Sequence, residues 1–128
     1  MSRRRPTRSE RRRRALHRGR LAEWLCCWHL RLRGWRIIAR DWRCPMGEID
    51  ILARRGGVLA AIEVKRRRDP GSAAEAVQPR QRRRIARAAA AYLLTRPDLA
   101  GLALRFDVML MAPRHLPRHL AGAWSAED

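Results

Sequence analysis

Two adjacent glycines, Gly56 and Gly57, separate two runs of residues that favour β-strands, residues 47–55 (GEIDILARR) and residues 58–65 (VLAAIEVK). Glycine adopts φ > 0 with little steric penalty, and a two-residue type I′ hairpin loop requires φ > 0 at both loop positions. The pattern therefore predicts a β-hairpin with Gly56 and Gly57 as its loop. Such a loop also fixes the register of the two strands, because Arg55 must then face Val58.

This register brings acidic residues of the two strands together. Counting back from the loop, Asp50 faces Glu63 and Glu48 faces Lys65, and the alternation of side chains puts all four on one face. Directly opposed residues have Cβ atoms roughly 4.5–5.5 Å apart, so opposed carboxylates repel each other. A divalent cation bound between them would remove the repulsion, since hard cations prefer carboxylate ligands. A solvent-exposed face held by salt bridges is the alternative interpretation.

Lys65 is the sole lysine in a chain with 30 basic Lys and Arg residues. Arginine is thus the default cation of this sequence, and a lone lysine indicates a position where arginine would not serve. Lysine is a compact point charge whose pKa can shift, whereas arginine is a bulky fork that stays protonated. This favours a catalytic role for Lys65, or a role in stabilising charge in a transition state.

The length and charge of the chain limit its class. At 128 residues, a single domain is expected. Residues 1–14 contain eight arginines and one glutamate, which predicts a disordered Arg-rich arm followed by one domain over residues 15–125. The net charge is +18 and the arm carries +7 of it, so the domain itself is strongly basic. A polyanion, above all nucleic acid, is the expected partner, and a membrane surface is disfavoured because the basic residues do not follow one long amphipathic helix.

The three cysteines, Cys26, Cys27 and Cys44, form neither an even set nor a C-x-x-C pair. This argues against a disulfide framework and against a zinc site, and predicts free thiols in the reducing cytoplasm. No apolar run reaches the length of a membrane span, and no apolar segment of a secretory signal follows the arginines.

Hydrophobic periodicity and turn residues predict the remaining elements. A helix is expected over residues 15–33, with an inner stripe formed by Leu21, Leu25, Trp28 and Leu32 and with Glu23 off its centre. Residues 35–43 are predicted to form a strand that completes an antiparallel meander with the hairpin. The apolar face that packs on the helix is expected to comprise Ala60, Ile62 and Val64 with Ile49 and Ile51.

A second helix is expected over residues 79–95, after a loop over residues 66–78, and a buried strand over residues 103–111. The strand contains one acid, Asp107, which we expect to anchor a neighbouring arginine or backbone group. Pro79 suits the first turn of the helix, and Gln81 follows it among several arginines. Arginines at a helix N-terminus oppose the helix dipole, which indicates a groove for a polyanion there.

This order of motifs resembles the PD-(D/E)xK nuclease superfamily, which has the α/β restriction-endonuclease-like fold. More closely, the chain resembles the YraN family of small bacterial proteins, over about residues 17–124. The segments that carry the resemblance are Gly19-Arg-Leu-Ala-Glu23, Gly47-Glu48-Ile-Asp50-Ile-Leu, Ile62-Glu63-Val-Lys65, Ala74-Glu75-Ala76-Val77 with the Gln81-Arg82 helix start, Arg105-Phe106-Asp107-Val108 and His115-Leu-Pro-Arg-His119-Leu-Ala-Gly-Ala-Trp124. The resemblance implies an αβββαβ core with a central mixed sheet.

The resemblance also implies a metal-dependent endonuclease that cleaves phosphodiester bonds with Mg²⁺ or Mn²⁺. Asp50 and Glu63 would bind the metal, helped by the carbonyl of Val64 and by the helix acid Glu23. Lys65 would orient or activate the attacking water or stabilise charge on the phosphate, and Gln81 would border the site. The basic residues expected to contact nucleic acid are Arg66, Arg67, Arg80, Arg82 and Arg83. By analogy with resolvase-like nucleases, a homodimer is also expected.

Three functions fit the sequence. The first is a Mg²⁺-dependent nuclease acting on DNA, including branched (Holliday-junction-like) or damaged DNA. The second is a non-catalytic nucleic-acid-binding protein that retains the nuclease fold, and the third is a structural partner in a ribosome or repair assembly. The feature that favours the first is Asp50 opposite Glu63 with Lys65 beside them, since a structural module has no need for that arrangement.

Overall fold

A computed structural model of the chain describes residue 5, residues 7–68 and residues 77–126, with the backbone alone for residues 10–18. The elements in chain order are α1 (Arg8–Arg31), β1 (Arg36–Cys44), β2 (Gly47–Arg55), β3 (Val58–Arg66), α2 (Pro79–Thr95), a 3₁₀ turn (Pro97–Leu99), β4 (Ala103–Met111) and β5 (Arg118–Trp124). The predicted bounds of α2 and β4 are confirmed. The start of α1 was predicted too late, because the helix begins at Arg8. Residues 1–4, much of the predicted loop before α2 and the quoted segment 74–76 lie outside the described residues, and the division at residue 14 into arm and domain stays a prediction.

The five strands form one sheet in the order β1-β2-β3-β4-β5. β3 and β4 run parallel, and every other neighbouring pair runs antiparallel. A parallel pair needs a crossover connection, and α2 lies within it. α1 and α2 cover opposite faces of the sheet. The predicted mixed α/β architecture, with an antiparallel meander and flanking helices, is confirmed.

The hairpin between β2 and β3 has the predicted register near its loop. Arg55 pairs with Val58, and the ladder continues to Ile51 opposite Ile62. The predicted turn type is wrong, because Gly56 has φ of 58° while Gly57 lies outside the left-handed region. Positive φ at the first loop position alone is the pattern of a type II′ turn, which also suits a two-residue hairpin.

Each face of the sheet has its own apolar core. On one face, Ile85 and Ala89 of α2 pack in a cluster with Leu59 and Ala61 of β3. On the other face, the cluster contains Cys26, Cys27 and Leu30 of α1 with Ile51, Ala60 and Ile62 of the sheet, and Val64 packs against it. The expectation that Ile49 shares the face of Ile51 is wrong, since Ile49 belongs to the cluster on the α2 side.

α1 turns the opposite face to the sheet from the one predicted. Its buried residues are Ala22, Cys26, Cys27 and Leu30. The predicted inner stripe is exposed instead, with 49% of Leu21, 39% of Leu25, 46% of Trp28 and 79% of Leu32 accessible. Both faces of this helix are apolar, so periodicity alone could not say which one is buried. The smaller side chains face the sheet, where they allow the helix to approach closely.

α2 packs against the start of β2 at a point of backbone contact. A Cβ atom at Gly47 would collide with the main-chain carbonyl group of Arg84, so only glycine fits there. This contact sets the distance between α2 and the hairpin, and with it the position of Gln81. The three cysteines are free, as predicted. No helix within the described residues is both long and apolar enough to cross a membrane.

Candidate functional site

The candidate site lies where β2 and β3 move apart beyond the last ladder pair, Ile51 and Ile62. The main-chain N–H of Val64 donates a hydrogen bond of 2.8 Å to Oδ2 of Asp50, so the Asp50 side chain bridges to β3. The carboxyl groups of Asp50 and Glu63 lie close enough for the charge of Asp50 to raise the pKa of Glu63.

Burial and mutual repulsion disfavour the state in which both carboxyl groups of this pair are ionised. Burial is the largest cause that raises the pKa of Glu63, and the nearby charge of Asp50 raises it further. Burial also raises the pKa of Asp50, against the opposing effect of the Val64 N–H. The pair therefore retains a proton more readily than ordinary carboxylic acids, and a cation in the place of that proton would be favoured.

Lys65 and Gln81 are joined to the same pair. Gln81 Nε2 donates a 2.7 Å hydrogen bond to Glu63 Oε1, and Lys65 Nζ donates a 2.9 Å bond to Gln81 Oε1. Lys65 Nζ also lies 3.5 Å from Glu63 Oε1. The amide of Gln81 thus holds the carboxylate and the ammonium side by side. The predicted pairing of Glu48 with Lys65 is wrong, because Glu48 is exposed and lies 3.5 Å from Nε of Arg43.

Glu23 of α1 and Asp50 line one cleft of about 330 Å³. Burial raises the pKa of Glu23, followed by repulsion from Asp50 and from Asp41. Arg40 Nε lies 3.5 Å from Glu23 Oε1 and offsets part of this effect. The described residues that line the cleft are Gly19, Arg20, Ala22, Glu23, Asp41, Arg43, Asp50, Val64 and Arg66. A cleft lined by both acids and arginines suits a phosphate group held beside a cation.

Most of the predicted site residues are therefore close to one another. Glu63, Gln81 and Lys65 form one hydrogen-bonded group, and the carboxyl group of Asp50 lies beside Glu63. Glu23 and Asp50 line the same cleft, whereas Glu63, Lys65 and Gln81 do not line it.

Of the predicted nucleic-acid-binding arginines, Arg66 lines the cleft, while Arg67, Arg80, Arg82 and Arg83 do not. Arg82 donates to the carbonyl of Val77, just before α2. The contacts of these residues with nucleic acid stay predictions.

Sequence reasoning missed the contribution of β1. Arg40, Asp41 and Arg43 lie at or beside the cleft. The signal was present in the meander, since the pairing of Arg43 with Glu48 puts the end of β1 next to Asp50. Asp41 has φ of 46°, a left-handed conformation that sequence patterns do not reveal in a strand.

A second charged cluster surrounds Asp107, which is fully buried. Its carboxylate accepts hydrogen bonds from Arg105 at 2.8 and 2.9 Å and from the Gly122 N–H at 2.9 Å, and it lies 2.6 Å from His119 Nε2. The expected anchoring of an arginine and a backbone group is confirmed, and His119 was missed. Burial alone would raise the pKa of Asp107, but the bonds from His119, Arg105 and Gly122 outweigh it and hold the pKa below the usual value. This cluster is internally satisfied and stabilises the β4–β5 pair.

No group of three or more His, Cys, Asp or Glu side chains among the described residues forms a ready metal site. The acids that line the cleft are Glu23, Asp41 and Asp50, and Glu63 lies beside Asp50 without lining it. A site of this kind, with one or two protein carboxylates, is typical of Mg²⁺ that also binds water and a substrate phosphate.

The mixed sheet with a helix on each face, and paired acids beside a lysine where two strands diverge, define an α/β protein with a nuclease-like fold. The chain belongs to the family described as "Uncharacterised protein family UPF0102", which matches residues 22–111 and corresponds to the YraN family.

Similar proteins, each called a UPF0102 protein, occur in several bacteria. The relative in Parvibaculum lavamentivorans is 54% identical over 103 residues, covering 80% of this chain and 77% of the relative. A relative in Rhodopseudomonas palustris (strain BisA53) is 51% identical over 112 residues, covering 88% and 86%. One in Nitrobacter winogradskyi is 50% identical over 112 residues, covering 88% and 95%.

Proposed function

We propose that this protein is a Mg²⁺-dependent nuclease that hydrolyses phosphodiester bonds of DNA. The observation that carries the proposal is the Asp50–Glu63 carboxyl pair, in which Glu63 is buried and Asp50 half-buried, with Glu63 held beside Lys65 by Gln81. A surface ion pair would leave these acids solvated and would need no amide bridge. The basic surface of the chain supports a polyanionic substrate.

The donor atoms fit Mg²⁺ or Mn²⁺. Asp50 and Glu63 supply carboxylate oxygens. The described residues that line the cleft include no cysteine, methionine or histidine, so no sulfur or imidazole ligand is among them. In this proposal Asp50 and Glu63 hold the cation, with Glu23 and the Val64 carbonyl as further oxygen donors. When bound, the cation acts as a Lewis acid that lowers the pKa of water and neutralises charge on the phosphate.

The chain's own residues orient the reactants around that cation. Lys65 is restrained by Gln81, so its ammonium group is available at a fixed point next to Glu63. There it orients the attacking water or stabilises charge on the phosphate. The arginines at the cleft, among them Arg20, Arg43 and Arg66, hold neighbouring phosphates of the strand.

We also propose the form of DNA that is cleaved and the compartment in which the protein acts. Branched, Holliday-junction-like or damaged DNA is the substrate that the resemblance favours. Since chromosomal DNA in a bacterium lies in the cytoplasm, we expect the protein there.

The test is cleavage of labelled linear, branched and single-stranded DNA with Mg²⁺, with Mn²⁺ and with a chelator. The wild type should cleave at least one substrate in a metal-dependent manner, and Asp50→Ala and Lys65→Ala should abolish that cleavage. If wild type and variants share the same trace activity, or none, the nuclease proposal fails.

A non-catalytic nucleic-acid-binding protein is the second candidate. The three arginines that line the cleft, Arg20, Arg43 and Arg66, support it independently of the acids. Two results together would favour this function over the first. The wild type would cleave none of the substrates with either metal, and Asp50→Ala would still bind DNA.

A further inference from the structure

The side of α1 that faces away from the sheet carries large apolar residues. We call it the outer face of α1, and it consists of Leu21, Trp24, Leu25, Trp28 and Leu32. Between 39% and 79% of each of these residues is exposed. One third of the chain is charged, yet none of these five positions is. The sheet side of the helix is already filled by Cys26, Cys27 and Leu30. Leu21 and Leu25 also line a groove with Met111 and Pro113, but the described residues leave much of the outer face exposed.

The spacing of the outer face is that of a helix–helix seam. Leu21, Leu25, Trp28 and Leu32 follow one another at intervals of 4, 3 and 4 residues. This is the d-a-d-a order of a heptad repeat, in which apolar side chains insert between those of a facing helix. Leu32 continues the helix, since its N–H bonds to the carbonyl of Trp28.

We propose that the outer face of α1 pairs with the same face of a second copy of this chain, with the two helices antiparallel. A two-fold axis midway between positions 26 and 27 brings Leu21 against Leu32 of the second copy, and Leu25 against Trp28 of the second copy. Each of these four apolar positions then meets an apolar position, as a symmetric interface requires, while Trp24 falls opposite His29 at its edge. This proposal does not depend on the nuclease proposal.

Charge favours the antiparallel direction. Residues 8–14 of α1 contain five arginines and one glutamate. A parallel pair would put these two basic segments side by side, whereas an antiparallel pair puts them at opposite ends.

The exposed area is sufficient for a weak dimer. Five large apolar side chains, each roughly half exposed, offer on the order of 600 Å² per copy, so a symmetric pair would bury about 1,200 Å², the lower end for specific interfaces. Burial of tryptophan at the centre of such an interface is typically a major contribution to affinity.

Nucleic acid fits the outer face less well. Arg31 lies over the ring of Trp28 at 5.3 Å, so a protein group already covers one side of that ring. Three of the five side chains are leucines, which lack the flat faces that unpaired bases stack on. Self-association and binding to nucleic acid also differ in their salt dependence. Copies with a charge of +18 repel each other, so salt strengthens self-association, whereas salt weakens binding to nucleic acid.

The experiment is sedimentation equilibrium of the full chain at low and high salt, about 0.15 and 0.5 M NaCl. We expect a monomer–dimer equilibrium whose dissociation constant falls at the higher salt. Leu25→Glu should weaken the dimer at least about tenfold, because a charge is then buried without a partner. The matched control is Leu94→Glu, since Leu94 of α2 is 86% exposed and lies outside the seam.

A charge exchange tests whether positions 25 and 28 lie in the interface. One variant carries Leu25→Glu with Trp28→Glu, and the other carries Leu25→Lys with Trp28→Lys. Each alone should be monomeric, and an equimolar mixture should form heterodimers, because opposite charges then face each other between the two helices. Circular dichroism melts of each variant verify that it is folded.

Four results would overturn the proposal. The first is a wild type that stays monomeric at the higher salt up to roughly 100 μM. The second is a Leu25→Glu variant that dimerises like the wild type, and the third is a charge-exchange mixture that stays monomeric. The fourth is a Leu25→Glu variant with the same molecular mass in solution as the wild type but a lower affinity for an oligonucleotide, which would assign the outer face to nucleic acid.

Discussion

Lys65 is held by two oxygen atoms that lie close together, Gln81 Oε1 at 2.9 Å and Glu63 Oε1 at 3.5 Å. A single ammonium group can approach both, because its three N–H donors radiate from one atom. A guanidinium group is wider and planar, so at this position it would displace Gln81 or reach past Glu63. The geometry gives a physical reason for one lysine in a chain that otherwise uses arginine.

Lys65→Arg should therefore lower the single-turnover cleavage rate of DNA on the order of 100-fold, a loss comparable to that of one positioned charge-stabilising donor. The melting temperature should change little, because Lys65 keeps part of its side chain exposed. A variant that cleaves at the wild-type rate would show that any cation serves there, and would remove Lys65 from the proposed mechanism.

Asp107 allows a separate prediction about stability. Asp107→Asn removes a buried charge from Arg105 and His119, and should lower the free energy of unfolding by about 2–4 kcal/mol at neutral pH. The control is Asp98→Asn, since Asp98 pairs with Arg96 at the surface, and we expect no measurable change there.

The stability gap between wild type and Asp107→Asn should also depend on pH. The folded-state pKa of Asp107 is depressed, so its contribution is fully present above the unfolded pKa of about 3.9 and is lost as the pH falls through the lower folded pKa. Denaturant unfolding at several pH values measures the gap. A gap that widened below pH 4 would contradict a depressed pKa of Asp107 in the folded state.

At the scale of elements, sequence patterns predicted the hairpin and α2 well because local chemistry specifies them. The Gly56–Gly57 pair set the register, and Pro79 marked the start of α2. The orientation of α1 could not be predicted, since both of its faces are apolar and the choice depends on how closely Cys26 and Cys27 let it approach the sheet. The contribution of β1 to the cleft follows from the meander, which pairs Arg43 with Glu48, but the left-handed conformation of Asp41 has no local sequence signal.

The contact between Gly47 and Arg84 is the point at which α2 is positioned on the hairpin. Gly47→Ala should lower the free energy of unfolding by about 1–3 kcal/mol, as overpacking does, and should lower cleavage further by moving Gln81. Gly57→Ala is the matched control, because an added Cβ there meets open space. Denaturant unfolding of both variants is the measurement, and equal stabilities would contradict the packing role of Gly47.

At the scale of the whole molecule, a net charge of +18 dominates association with DNA. The logarithm of affinity should fall linearly with the logarithm of salt concentration, by about 0.9 per phosphate contact. Arg66 lines the cleft, so Arg66→Gln should reduce this slope by about 1. Arg36 is exposed at the other end of β1, and Arg36→Gln should leave the slope unchanged. Fluorescence anisotropy of a labelled duplex over a salt series measures both, and equal slopes for the two variants would mean that the cleft does not hold phosphates.

The most direct test of the proposed site is Mn²⁺ binding by the full chain, followed by electron paramagnetic resonance. The wild type should bind one Mn²⁺, and Glu63→Gln should weaken that binding at least about tenfold, because it removes one charged ligand of the pair. Glu48→Gln is the control, since Glu48 lies two residues from Asp50 but pairs with Arg43 at the surface. We expect Glu48→Gln to match the wild type. Equal Mn²⁺ affinity in the wild type and Glu63→Gln would contradict a metal site at Asp50 and Glu63.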